Sequence, residues 1–180
     1  MANFTPLGKA GVSEDLITWL MSEEWPFHVN RNLTYDKVRD FVGNFILSPS
    51  DYQAFWISDA GEPRVGLLMI FDMDDIEDGA PRFDLRIRAQ YRGRGLGTLA
   101  VHWMTDYLFA GWPSLRRIEG TTRGDNVAMQ RVFTKNGFVK EGCLRKAWPS
   151  SDGVFYDTFL YAILREEWCA GTDAFTTQNG

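Results

Sequence analysis

The stretch Gln90-Tyr91-Arg92-Gly93-Arg94-Gly95-Leu96-Gly97 constrains this chain more than any other, because it joins a strand-like run, Phe83 to Ile87, to a helix-like run starting at Thr98. A chain that turns so abruptly from strand to helix leaves the first helical N–H groups without intrahelical partners, and the helix dipole makes that end attractive to anions. Glycines let a ligand approach the backbone closely, and Arg92 and Arg94 bring positive charge to the same point. The stretch reads as a phosphate-holding loop. Two familiar phosphate loops do not fit it: a dinucleotide fingerprint needs glycine or alanine where Thr98 stands, and a P-loop needs Gly-Lys-Ser/Thr.

With 180 residues, 44% hydrophobic and 24% charged, the chain has apolar material for one α/β or α+β domain. We read residues 1–168 as that domain and 169–180, small and polar, as a frayed tail. The net charge of −5 argues against a general nucleic-acid binder, which needs clustered Lys and Arg, and is compatible with a cationic acceptor such as an amine. No basic region followed by an apolar core opens the chain, and no apolar run approaches membrane-spanning length; a cytoplasmic protein with no membrane partner is expected. Cys143 and Cys169 are too few and too far apart for a disulfide framework or a metal site, so no metal is expected.

Helical spacing places Leu16, Ile17, Leu20 and Met21 after Ser13, and Val38, Phe41, Val42, Phe45 and Ile46 after Thr34, so two helices open the domain. Between them, Trp25-Pro26-Phe27-His28-Val29-Asn30 concentrates aromatic and polar groups, reading either as a floor for an acceptor or as core plugs with His28 at the surface. A hairpin follows from Gln53 to Phe71, then an acidic loop from Asp72 to Asp78 that is either solvated or attractive to a basic substrate. After the strand 82–88 and the glycine loop come a helix from Thr98 to Phe109, with Leu96, Leu99, Ala100 and Trp103 on its apolar side, and a strand from Arg117 to Thr122. Next is a helix capped at Asp125 or Asn126 and stopped at Gly137, and last a hairpin about Ser150-Ser151-Asp152-Gly153. This order makes a mixed, mostly antiparallel sheet with helices on both faces.

Gln90-x-x-Gly93-x-Gly95 resembles the acyl-CoA pyrophosphate loop of the GNAT superfamily of N-acyltransferases. Asn126-Val127-Ala128-Met129, then Lys135-Asn136-Gly137-Phe138 and Glu141-Gly142, resemble that family's next segments, and the form with Arg145, Asp157, Tyr161 and Glu167-Trp168 resembles its ribosomal-protein-alanine acetyltransferase branch. The resemblance spans about Phe4 to Trp168. It implies an acyltransferase taking acetyl-CoA as co-substrate, with its sheet splayed at the acyl-CoA site. Pyrophosphate is expected on the backbone of Arg92, Gly93, Arg94, Gly95, Leu96 and Gly97, and the pantetheine arm along Ile87, Arg88 and Ala89, with Asn126 opposite.

The implied reaction is attack by a neutral amine on a thioester, which needs a base and a source of protons for the thiolate. Glu119 is the first candidate base and Asp84 the second, although Glu119 equally suits a structural pairing with Arg116 or Arg117. His28 is a candidate acid or base if its loop folds over the thioester. Trp25, Phe27, His28 and Trp148 are candidate walls for the acceptor. The chain departs from the family where many members carry a tyrosine, seven residues after the asparagine: Phe133 stands there and cannot donate a proton. Met129 stands where the branch often has serine.

The leading expectation is an N-acetyltransferase acting on a primary amine of a small molecule or a protein N-terminus, as a monomer or homodimer. The alternatives are a GNAT-fold module that binds CoA without transfer and a nucleotide-binding regulatory domain.

Overall fold

The computed structural model describes residues 2–7, 14–28, 33–47, 50–77, 79–150 and 153–169. Ser13, Val29, Asn30, Asp78, Ser151, Asp152 and the tail beyond 169 lie outside the described residues, as do the side chains of Phe45 and Ile46. Elements run β1 (Asn3–Pro6), α1 (Glu14–Met21), α2 (Tyr35–Leu47), β2 (Tyr52–Asp59), β3 (Glu62–Phe71), β4 (Arg82–Ile87), α3 (Leu96–Gly111), β5 (Arg117–Arg123), α4 (Val127–Lys135), β6 (Val139–Pro149) and β7 (Phe155–Leu164). No described helix is long and apolar enough to cross a membrane.

The strands form two antiparallel sheets, β1-β2-β3-β4 and β5-β7-β6. They meet at β4 and β5, which no ladder joins; one backbone bond, from Glu119 N–H to Pro81 C=O at 3.1 Å, ties them at one end. This is the splay that the resemblance implied. Alternation along β3 sends Leu67 and Met69 to a core under α1 and α2, and Leu68 and Ile70 to a larger core under α3 and α4. Helices thus cover both faces.

Two expectations need correction. A strand, not a helix, opens the fold: β1 pairs with β2 from Asn3↔Ser58 to Pro6↔Phe55. Four residues ending in proline carry too little alternation to announce an edge strand. Met21, Phe41 and Leu99 are exposed at 42%, 37% and 50%, although their spacing put them on apolar helix faces. The buried line of α3 is Leu96, Ala100, Val101, Met104 and Leu108 instead, the i, i+4 ridge that faces a flat sheet. Thr34 caps α2, its Oγ1 accepting from Lys37 N–H at 3.4 Å, and Asn126 caps α4, its Oδ1 accepting from Met129 N–H at 3.2 Å.

Candidate functional site

Beyond β4, Ala89–Tyr91 make one 3-10 turn, and Gly93 and Gly95 then adopt left-handed φ values of 75° and 83°. A Cβ built on either would meet nothing within 4 Å, so these glycines serve the backbone turn and face open space. Gly95 precedes the first turn of α3 and offers no capping side chain, which leaves the amides there for a ligand. Over this loop opens a cavity of about 420 Å³, walled by the loop, by Leu85, Arg86 and Ile87 of β4, and by Ala128, Arg131 and Lys135 of α4. Its open glycines, free helix amides and rim of Arg92, Arg131 and Lys135 suit a long anionic ligand such as a nucleotide thioester.

Of the residues expected to hold the co-substrate, Ile87, Arg92, Gly93, Gly95, Leu96, Gly97 and Asn126 line this cavity. Arg88, Ala89 and Arg94 do not. Arg88 donates its N–H to Val65 C=O at 3.0 Å and lays its guanidinium 5.6 Å from the Trp19 ring centre, while Arg94 lies 5.3 Å from the Tyr91 ring centre. The open edge of β4 is occupied by the chain's own side chains. Ala89 N–H donates to Glu23 Oε2 at 2.8 Å, and Ile87 C=O accepts from Arg92 Nε at 2.8 Å.

A second cavity, about 370 Å³, lies on the other side of the splay. Phe27, Tyr52, Phe71, Phe83 and Trp148 supply aromatic walls, Thr121 and Thr122 of β5 a polar one, and Asp72, Arg82 and Asp84 its charges. Phe27, His28, Leu85, Asn126 and Met129 line both cavities, so the two spaces meet at these side chains. Among the described residues lining both, His28 is the only titratable one.

His28 is held on three sides. Its loop begins at Trp25, 1% exposed, whose Nε1–H donates to Leu20 C=O at 2.7 Å; His28 N–H then donates to Trp25 C=O at 3.0 Å. Arg123 of β5 clamps the same loop. It is 6% exposed, donates from Nη1 to Pro26 C=O at 3.2 Å, lies 4.8 Å and 4.3 Å from the Phe27 and Tyr156 ring centres, and grips Asp125 at 2.6 and 3.0 Å. On the third side, His28 Nε2 lies 3.1 Å from Asp84 Oδ2.

Asp84 in turn accepts from Arg86 Nε at 2.9 Å and Nη2 at 3.3 Å. Burial pushes its carboxyl pKa up, but the Arg86 guanidinium and His28 outweigh that and hold it well below the usual carboxylate range. Asp84 is therefore ionised at neutral pH and accepts the Nε2 proton, which makes Nδ1 the lone-pair nitrogen of the neutral ring. Nδ1 is buried and, among the described residues, has no hydrogen-bond partner. The carboxylate thus holds the imidazole in one orientation where the two cavities meet, the orienting half of an acid–base couple.

The structure brings Asp84, His28, Phe27 and Trp148 to the acceptor side and Trp25 to the other. It does not bring Glu119 to either cavity. Glu119 pairs with Arg117 at 2.9 Å, and Arg117 also meets Glu141 at 2.7 Å. Phe133 is fully buried, stacked on Tyr161 at 4.6 Å and lying where any Cβ on Gly120 would run into its ring; it lines neither cavity. Arg86, Arg123, Glu23, Tyr52, Phe71 and Arg82 escaped sequence reasoning. The alternation Arg82-x-Asp84-x-Arg86 along one strand face was the readable signal for part of that set. Among the described residues no group of three or more His, Cys, Asp or Glu side chains is arranged to hold a metal ion.

Comparison with known proteins places this geometry in a family. The acetyltransferase (GNAT) domain matches residues 10–139. An uncharacterized N-acetyltransferase, YnaD of Bacillus subtilis, is 33% identical over 78 residues, 43% of this chain and 45% of the relative. The ribosomal-protein-serine acetyltransferase of Escherichia coli is 26% identical over 146 residues, 81% and 79% of the two chains. The matched stretches span 45% and 56% of the two Bacillus subtilis relatives YnaD and YokL. In fold, the spermidine/spermine N-acetyltransferase SpeG of Vibrio cholerae superposes with a TM-score of 0.75 at 17% identity, covering 95% of this chain and 98% of that one. With the domain match running from before α1 to the first residue of β6, and a splayed sheet and glycine loop where such a domain needs them, the chain belongs to the GNAT acetyltransferase family.

Proposed function

We propose that this protein is an acetyl-CoA-dependent N-acetyltransferase that moves an acetyl group to a primary amine of a small molecule or a protein N-terminus. The observation that carries the reading is the His28–Asp84 couple at the meeting of two cavities, one ringed by the glycine loop and one by aromatic side chains. The relatives bear names of N-acetyltransferases and of a ribosomal-protein acetyltransferase, which supports amine chemistry. Residues 1–168 act as one domain in this reading, in the cytoplasm.

The co-substrate supplies an electrophilic thioester carbon and a sulfur leaving group. Backbone amides from Arg92 to Gly97 bind its phosphates, and Asn126 and Met129 border the space where the two substrates meet. The amine enters as an ammonium ion. The His28–Asp84 couple takes one proton and later releases it to solvent. The freed nitrogen forms a bond to the acyl carbon as the carbon–sulfur bond breaks; sulfur leaves with the electron pair and takes the second amine proton. Base assistance of this kind contributes about 10²–10⁴-fold.

A second reading, CoA binding without transfer, draws on the burial of Phe133, which supplies no hydroxyl for the thiolate. Thiol release from acetyl-CoA, measured against a panel of amines and N-terminal peptides with Gly95→Glu as the blocked-loop control, separates the two. Turnover that disappears in the control supports the transferase. A melting temperature raised by acetyl-CoA without turnover favours the silent module, and no CoA binding overturns both.

A further inference from the structure

We infer that the acceptor is a monoamine carried on a compact apolar body, such as a ring, and not a polyamine. The inference rests on the transferase reading for its chemistry, and its content comes from the acceptor-side cavity. Five aromatic side chains, Phe27, Tyr52, Phe71, Phe83 and Trp148, line that space. Tyr52 and Phe71 meet edge to face at 5.5 Å and form the wall beside the Asp72–Arg82 pair. Rings in such number favour a flat apolar guest or a cation against a π face.

Charge decides which of these the cavity takes. A polycation needs a carboxylate for each ammonium group that leaves water. Both carboxylates on the cavity wall are already matched: Asp72 by Arg82 at 2.7 and 3.3 Å, Asp84 by Arg86 at 2.9 and 3.3 Å. A second ammonium group would meet the Arg82 guanidinium at the Asp72 end. One amine, deprotonated by His28, is all that the charges accommodate. Two residues of β4 separate Asp84 from Arg82, roughly 7 Å along the strand, which is the reach from an amine nitrogen to the far edge of a ring two carbons away. Bond and proton accounting are those of the transfer above: N–C forms, C–S breaks, and one proton reaches solvent through His28.

The test offers the whole protein 2-phenylethylamine, spermidine and an alanine-initiated tripeptide, reading thiol release from acetyl-CoA and, separately, the binding of each amine by calorimetry in the presence of CoA. The expected result is a kcat/KM for 2-phenylethylamine about tenfold or more above the others. Phe71→Ala should lower it about tenfold, a larger loss than the one it causes for spermidine, and Arg82→Gln, which frees Asp72, should narrow the gap by improving spermidine. Spermidine or the tripeptide turned over equally well or better overturns the inference and leaves the transferase standing. If nothing turns over, tighter binding of 2-phenylethylamine keeps the inference while the transferase reading falls. Equal or absent binding of the ring amine ends both.

Discussion

The two cavities that meet at His28 are built by different means. The side proposed for the co-substrate leans on backbone: left-handed Gly93 and Gly95 and the uncapped start of α3, with a loop wall that comes from the one stretch Tyr91 to Thr98, Arg94 excepted. The acceptor side is made of side chains drawn from the Trp25–His28 loop, β2, β3, β4, β5, α4 and β6. A backbone site reads any ligand with phosphates in the right place and tolerates side-chain change. A side-chain site reads shape and charge, and each wall can be altered without disturbing the others. The difference teaches that donor recognition and acceptor recognition are separable here, joined chiefly through His28 and Asn126.

The sharpest way to break that separation is to fill the backbone site. Gly95→Glu puts a side chain and a charge into a left-handed position that faces the ligand; acetyl-CoA binding by calorimetry should fall below detection, and turnover with it. His28→Gln should do the opposite, keeping acetyl-CoA affinity while kcat drops about 10²–10⁴-fold. Retention of the wild-type kcat would remove His28 from the mechanism.

Asp84→Asn comes next, with kcat lower by about ten- to a hundredfold as His28 loses the acceptor that fixes its tautomer. It carries a second signature. Because the folded-state pKa of Asp84 lies below the ordinary value, its contribution to stability is full above about pH 4 and is lost as the pH falls below that. Melting temperatures taken down to about pH 2 should fall more steeply in the wild type than in the variant. Arg123→Met, which releases Pro26 and Asp125, should cost roughly 1–3 kcal/mol of stability and slow turnover more than it weakens acetyl-CoA binding. The smallest effect belongs to Arg94→Ala, whose side chain stacks on Tyr91 outside the cavity; acetyl-CoA affinity should change by about twofold or less.

What could be read in advance follows the same division. The loop, its glycines and the Asn126 cap stood out because their residues are neighbours in the chain and their physics is local. The order of the elements after β1 was readable from residue patterns, and the splay followed from the family resemblance. Glu119 was readable both as a base and as a partner for Arg116 or Arg117, and the pairing with Arg117, two residues away on β5, is what the fold shows. His28 carried little weight as a lone histidine in a connector, since its role depends on Asp84 and Arg123, far away in sequence and brought close by the two sheets. Phe27 and Trp148 were readable as walls of the acceptor space, but Tyr52, Phe71 and Phe83 stood out only once the fold put them around it.

One feature of β4 bears on how the protein behaves in concentrated solution. A strand edge with free amides and carbonyls is a template on which another polypeptide can add itself, and such additions lead to aggregates. Here Glu23 takes the Ala89 amide and Arg92 takes the Ile87 carbonyl. Charged side chains thus blunt the groove's mouth against stray strands, while remaining on flexible stems that a stronger-binding guest can push aside. The gap in the sheet is guarded against the protein's own kind by the same bonds that its ligand must exchange.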